Sequence, residues 1–208
     1  MKKTQSNLVI INAVFIMSLL VANVVASKVV NLFGLIVPAA VVAYAITFLA
    51  TDVINEIWGK QEADRTVKLG LVIQVSALLL IGLAIVLPPA PFAIEFSDMF
   101  TTVLKQSWRV VFASLVAYAF SQAHDVMSFN FWRKKTDGKH KWLRNNASTL
   151  VSQIIDTAIF ITIAFWGTVP SILWMIFSQY IVKAILALLD TPFFYLLTKH
   201  TTKHGTTK

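Results

Sequence analysis

Two segments of this 208-residue chain, Ser121-Gln-Ala-His-Asp-Val and Ser152-Gln-Ile-Ile-Asp-Thr, repeat one device in apolar surroundings. In each, an amide and a carboxylate stand three positions apart, Gln122 with Asp125 and Gln153 with Asp156, and a serine precedes the acid by one helical turn. Residues at i and i+3 or i+4 of a helix share a face. A carboxylate presented this way can accept two N–H bonds from an amidine-like edge, such as that of a guanine-type base, while the amide reads a carbonyl. Rings nearby in sequence or depth, Tyr44, Phe129, Phe160 and Trp174, could stack on such a base.

Other polar residues fall on helical faces too. In "TFLATDVINEIWG" a stripe runs through Thr47, Thr51, Asp52, Asn55, Glu56 and Gly59, and Asn23 interrupts the first apolar run. Gln179, Lys183 and Asp190 follow i, i+4, i+11 spacing, one face of the last helix. Lys183 lies too near the middle of that run to snorkel easily. It should neutralise an acid, and depth makes Asp156 the first choice; a carboxylate pair with no cation would instead hold a proton. Lys28, His124 and Asp190 are candidates for structural or coupling roles. The plain alternative is that all these groups pair simply to hold helices together. Each ionised residue costs about 2.5–3.5 kcal/mol at mid-bilayer, whereas interhelical polar contacts average about 0.6 kcal/mol. Pure helix-to-helix adhesion is a poor reason for so many.

The elements that position these residues follow from composition. Fifty-seven per cent of the residues are apolar or aromatic, 13% are charged, and mean hydropathy is +0.71. That charge content is about half of what soluble domains carry. Apolar runs of about 20 residues recur, as bilayer-crossing helices require. The expected class is an all-α integral membrane protein, one domain over residues 1–208. Its six helices are placed at about 8–26, 35–58, 66–87, 108–132, 147–166 and 170–198. The segment 89–107 between the third and fourth could be an outer-surface amphipathic helix or lid, or a passive connector. The first run resembles a secretory signal peptide with cleavage after Ala26, but it is long for one and contains Asn12, so it is read as a span.

Basic residues cluster before the first run, after the second, after the fourth and in the tail, leaving Lys28, Lys105 and Arg109 on the other side. By the positive-inside rule both termini are cytoplasmic. This topology accounts for the +8 net charge without a nucleic-acid partner. The basic loop joins the two Gln/Asp helices as an antiparallel hairpin, which brings both devices to one depth. Zero cysteines exclude disulfides and thiolate chemistry. No G-x-x-x-x-G-K-[ST], H-E-x-x-H or G-x-S-x-G occurs, so ATP hydrolysis by a P-loop and zinc or serine hydrolase chemistry are not expected. An intramembrane enzyme using Asp125 and Asp156 as a proton-sharing pair is the one catalytic reading left. No catalytic residue, metal or cofactor is expected.

At the stretches "ANVVASK" (Ala22–Lys28), "TFLATDVINEIWGK" (Thr47–Lys60), "SQAHDV" (Ser121–Val126), "WLRNNASTLVSQIIDT" (Trp142–Thr157) and "KAILALLDTPFFY" (Lys183–Tyr195), the chain resembles the VUT/YhhQ-type queuosine precursor transporter family. The matches touch five of the six expected spans in the family's order. One departure is the Ile-Trp-Gly closing the first acidic motif, where an aliphatic residue and a tyrosine or other ring are also familiar. The resemblance implies uptake of 7-cyano-7-deazaguanine and related deazapurines across a bacterial inner membrane. It also implies a six-helix fold similar to the substrate-binding subunits of energy-coupling-factor (ECF) vitamin transporters. The polar positions it carries over are Asn23, Asp52, Asn55, Glu56, Gln122, Asp125, Gln153, Asp156, Lys183 and Asp190. A rival expectation is a substrate-binding subunit that works with a separate ATPase module. The expected partners are the deazapurine and the lipid bilayer, and the sequence leaves a homodimer open.

Overall fold

Thr4 opens the first helix with its hydroxyl accepting from the backbone N–H of Asn7 (3.3 Å), and α1 runs Gln5–Val25. A short antiparallel hairpin follows, β1 Val29–Leu32 and β2 Leu35–Pro38, and then α2 Ala40–Trp58, α3 Lys60–Val86, α4 Ile94–Lys135, α5 Lys141–Phe165 and α6 Ile172–Thr198. The computed structural model describes residues 1–135 and 141–198, with the side chains at 122, 123, 125, 126, 128–150, 187, 190 and 191 left aside.

The hairpin is where the all-α expectation needs correcting. Leu35–Pro38, expected to open the second span, is a strand, and the helix begins at Ala40. Its two-residue turn, Phe33-Gly34, has φ of 53° and 92°, the doubly positive geometry that matches strand twist. Asn31 steadies it by accepting the Gly34 N–H (2.7 Å), and Trp174 on α6 donates its indole N–H to the Gly34 carbonyl (3.2 Å). A second correction concerns the expected lid or connector. After Pro88-Pro89 and a 3₁₀ turn at Pro91–Ala93, the chain enters α4 directly, so Glu95–Ser107 forms the first turns of a continuous 42-residue helix. At 1.5 Å per residue α4 is roughly 63 Å long, about twice a bilayer's hydrocarbon thickness.

Between α2 and α3 there is almost no linker. Gly59, at φ 97° and ψ 166°, occupies backbone space open in practice only to glycine, and its carbonyl accepts from Glu62 and Ala63 to start α3. The ammonium of Met1 donates to the Leu197 carbonyl. Met1, Trp58, Ala63 and Leu197 also pack around one apolar cluster formed by Leu8, Ile11, Phe15, Ala50, Val53, Ile54 and Ile57. The start of α1, the α2–α3 turn and the end of α6 therefore share one end of the bundle. A second cluster, rich in alanine, joins Ala22, Ala26 and Ala40 to Val110, Ala113, Ala117, Phe160, Ile161, Ala164, Phe165 and Met175. Small residues let helices approach closely where apolar lipid leaves no hydrophobic drive for association.

Two contacts fix individual helices. Arg109 on α4 donates from Nε to the Ile163 carbonyl (2.6 Å) and from Nη2 to the Trp166 carbonyl (2.7 Å), and Gln106 donates to Ala164 (2.9 Å). These bonds cap the C-terminal carbonyls of α5 with a cation, which also favours its dipole. Helix α3 buries a single straight stripe of Thr66, Gly70, Gln74 and Leu78. By length and composition, α1, α2 and α3 can cross a bilayer, and Val151–Phe165 and Ile172–Leu186 are shorter apolar stretches of α5 and α6.

Candidate functional site

All six helices contribute side chains near their middles to one cavity of about 290 Å³. Each contribution is a single helical stripe: Phe15 and Leu19 from α1; Tyr44, Thr47, Phe48 and Thr51 from α2; Val67, Leu71 and Gln74 from α3. Helix α4 supplies Ser114, Ala117, Tyr118 and Ser121, α5 supplies Gln153, Asp156 and Phe160, and α6 supplies Gln179 and Lys183. The volume is near the lower end of the roughly 300–1,000 Å³ typical of small-molecule sites. Rings cover part of the wall, with Phe160 edge-on to Tyr44 at 6.4 Å between centroids.

One ion pair stands in this wall. Lys183 Nζ donates to Asp156 Oδ2 (3.3 Å) and to the Thr157 hydroxyl (3.1 Å), with side chains 19% and 30% exposed. The partner expected from depth is thus the one the fold supplies. Desolvating two charges is costly even when they pair, so their position beside a cavity suits a site that exchanges partners. The remaining polar groups differ in how far they are already engaged. Thr47 donates to the Tyr44 carbonyl (2.7 Å), Thr51 to Thr47 and Phe48 (3.1 and 2.8 Å), and Ser121 to Tyr118 (3.2 Å). Gln74 donates to Asn23 Oδ1 (3.0 Å). By contrast, the Tyr44 hydroxyl and Gln179 Oε1 are buried with no hydrogen-bond partner among the described residues.

The other expected site residues lie in several places. Asn23 is buried behind the cavity, bonded by Gln74 and, at its backbone carbonyl, by Ser107 (3.2 Å). Asp52, Asn55 and Glu56 are exposed on α2, and none of them lines the cavity. With about 100° per residue, Asn55 continues the Thr47–Thr51 stripe one turn past the cavity, while Asp52 and Glu56 turn aside. His124 Nδ1 sits 3.1 Å from the Ser152 hydroxyl and ties α4 to α5 outside the lining. Lys28 is exposed beside the hairpin, where its carbonyl accepts from Ala39 (2.8 Å). Gln122, Asp125 and Asp190, with Phe129, lie outside the described side chains. Trp174 is engaged by the hairpin instead of the cavity. Sequence reasoning missed Gln74, Ser114 and Tyr118; a lone glutamine inside the apolar run "LGLVIQVSALLL" was the available signal for the first.

Apolar helices gathered around a solute-sized, partly polar cavity fit a membrane protein that handles a small solute. The chain belongs to a family of such proteins: residues 38–197 match the family described as "Putative vitamin uptake transporter". A protein of Bacillus subtilis (strain 168) named "Probable queuosine precursor transporter" is 35% identical over 185 residues, covering 86% of this chain and 79% of that protein. The "Queuosine precursor transporter" of Escherichia coli (strain K12) is 29% identical over 135 residues, 60% of this chain and 53% of that one. No solved structure matches. The protein is a transporter and not an enzyme.

Proposed function

We propose that this chain carries a queuosine precursor, 7-cyano-7-deazaguanine or a close deazapurine, inward across a bacterial inner membrane through the six-helix cavity. The observation that carries the reading is the Asp156–Lys183 pair set in a mid-bundle wall to which every helix contributes. Asp156 accepts the N–H edge of the base in place of Lys183, Gln153 and Gln179 read its remaining polar edge, and Tyr44 and Phe160 cover its faces. Gln122 and Asp125 are assigned to the same recognition task on their sequence spacing alone. Asn23 acts through Gln74. Asp52, Asn55 and Glu56 form the polar path on the end of the bundle shared by Met1 and the end of α6, and His124, Lys28 and Asp190 hold or couple the moving helices.

In this reading all six helices cross the bilayer, in the manner of the substrate-binding subunits of ECF vitamin transporters. Shared placement of Met1, the basic α2–α3 turn and the end of α6 supports cytoplasmic termini, because basic residues remain on that side. A subunit that docks on a separate ATPase is the second reading, favoured by the family's vitamin-uptake description. Docking on such a module calls for small residues on an outer helix face, and the alanines Ala22 and Ala26 of α1 are instead fully buried inside the bundle.

The test is uptake of labelled 7-cyano-7-deazaguanine by liposomes containing the purified chain alone. Asp156→Asn is expected to reduce uptake more than a hundredfold while the protein still inserts and melts cooperatively. Parental uptake by that variant would remove the site from the proposal. Transport by the parent without a partner would remove the ATPase reading.

A further inference from the structure

The polar groups around the cavity can be sorted by whether the fold already uses them. The hydroxyls of Thr47, Thr51 and Ser121 donate to carbonyls of their own helices, the Gln74 amide is held by Asn23, and Lys183 is divided between Asp156 and Thr157. Gln153, the third lining amide, is exposed, and among the buried amides of the lining Gln179 is the exception. It lines the cavity, is only 2% exposed, and its Oε1 has no partner among the described residues. A buried acceptor left unpaired costs about 1–3 kcal/mol, and such an orphan in a native fold calls for a ligand or water to meet it. The site is wide enough for a ligand. A primary amide presents an acceptor beside a donor, so it pairs best with a ring edge that carries N–H next to a bare nitrogen.

Gln179 also stands in a defined relation to the ion pair. It precedes Lys183 by one turn on the same face of α6, about 6 Å along the axis. A fused bicyclic ring can bridge that spacing, with one edge on Asp156 and the adjoining edge on Gln179. Resting on the transport reading above, we infer that Gln179 is the specificity-determining residue for the five-membered-ring edge of the substrate. Its Oε1 accepts the pyrrole N–H, and its amide N–H donates to the adjacent pyrimidine nitrogen. The site then requires a base whose pyrrole nitrogen carries hydrogen, and a ligand without that donor leaves Oε1 unpaired. Sites built to bond a substrate N–H or O–H reject analogues lacking it by factors far larger than a missing methylene produces.

The experiment pairs a protein change with a ligand change of the same size. Binding to the purified, detergent-solubilised full chain is measured by calorimetry for 7-cyano-7-deazaguanine and for the isostere in which oxygen replaces the pyrrole N–H. The parent should bind the isostere at least a hundredfold more weakly. In Gln179→Leu, similar in volume and without polar atoms, the ratio should fall below about fivefold. In Gln179→Glu, which keeps an acceptor at the same reach, it should stay above about thirtyfold. Melting of the unliganded variants checks that each is folded, and should Gln179→Leu bind neither ligand, the Gln179→Glu ratio decides. A ratio in Gln179→Leu equal to the parent's overturns the assignment of Gln179 and leaves the transport reading standing. A parent that binds neither base overturns the transport reading and this inference with it.

Discussion

The seam between α1 and α3 and the wall formed by α2, α5 and α6 both place polar groups inside the bundle, and they use them in opposite ways. Along the seam the groups close on one another: Thr66 donates to Asn12 Oδ1 (2.7 Å), and Gln74 donates to Asn23 Oδ1 (3.0 Å). In the facing wall Gln179 Oε1 and the Tyr44 hydroxyl have no partner of ordinary hydrogen-bond geometry among the described residues, and the Asp156 carboxylate shares a long bond with Lys183 (3.3 Å). The contrast separates adhesion from recognition. A group that only holds helices together is fully satisfied within the fold, whereas a group that binds a solute is left unpaired, as Gln179 Oε1 is, or held in a bond that the solute can replace, as Asp156 is. Being unpartnered is not sufficient, because Ser18 and Ser178 are also buried without partners among the described residues and neither lines the cavity. The combination of orphan and lining position is what marks Gln179 and Tyr44.

The largest disturbance to the comparison comes from the close approach within the seam. A Cβ at Gly70 would lie 2.6 Å from Phe15 Cε1 and 3.1 Å from Leu19 Cδ2, and both those side chains line the cavity. Gly70→Val should therefore cost about 1–3 kcal/mol of overpacking and push Phe15 into the space the solute needs. Expected results are a lower melting temperature and uptake reduced more than tenfold. Gly82→Ala provides the matched control: its Cβ would meet Trp108 at 2.7 Å, and Trp108 does not line the cavity. That variant should lose stability with ligand affinity unchanged. If both glycine variants lose affinity equally, the seam and the binding wall are not separable.

A smaller effect is expected from the seam's own hydrogen bonds. Gln74→Leu leaves Asn23 Oδ1 buried without its donor, so the single variant should be destabilised by about 1–2 kcal/mol. Asn23→Leu combined with Gln74→Leu removes both partners, and the double variant should recover part of that loss. A coupling of about 0.6 kcal/mol, and no more than about 1.7, is the size seen for such pairs in membrane proteins. Equilibrium unfolding of the two single variants and the double variant measures it. A coupling of zero would mean that the bond is incidental, and Gln74 would then join the recognition wall.

Much of this division could be read from residue spacing, and where it could not the reasons are physical. The i, i+3, i+4 stripes of α5 and α6 bring Gln153, Asp156, Gln179 and Lys183 to one cavity, because helical periodicity and depth suffice to align two neighbouring helices. The acids of α2 were the strongest chemical signal in that helix, yet the cavity takes Thr47 and Thr51 and not Asp52 or Glu56. Spacing gives a face but not the level at which the bundle widens. "VVNLFGLIVP" is apolar but for Asn31, so neither period separates strand from helix, and the second strand falls inside the expected second span while the first lies between spans. Orphan status is invisible in sequence altogether, because it depends on which partners the other five helices withhold.

The smallest expected change is also the one with the most informative sign. Tyr44→Phe deletes a buried hydroxyl that meets no hydrogen-bond partner of ordinary geometry among the described residues, the Ser114 hydroxyl being the side chain placed to interact with it. If the hydroxyl served the fold, its loss would destabilise the protein by about 1 kcal/mol, the ordinary net value of a hydrogen bond. If it belongs to the recognition wall, removing it relieves an unsatisfied group, and the unliganded protein should melt at the same temperature or slightly higher. Affinity for the deazapurine should fall about tenfold in the same variant, since the bond it makes exists only in the complex. Stability and binding moving in opposite directions is the signature of a group held in reserve for a ligand. A Tyr44→Phe protein that is less stable and binds as tightly as the parent would place Tyr44 with the adhesive residues of the α1–α3 seam.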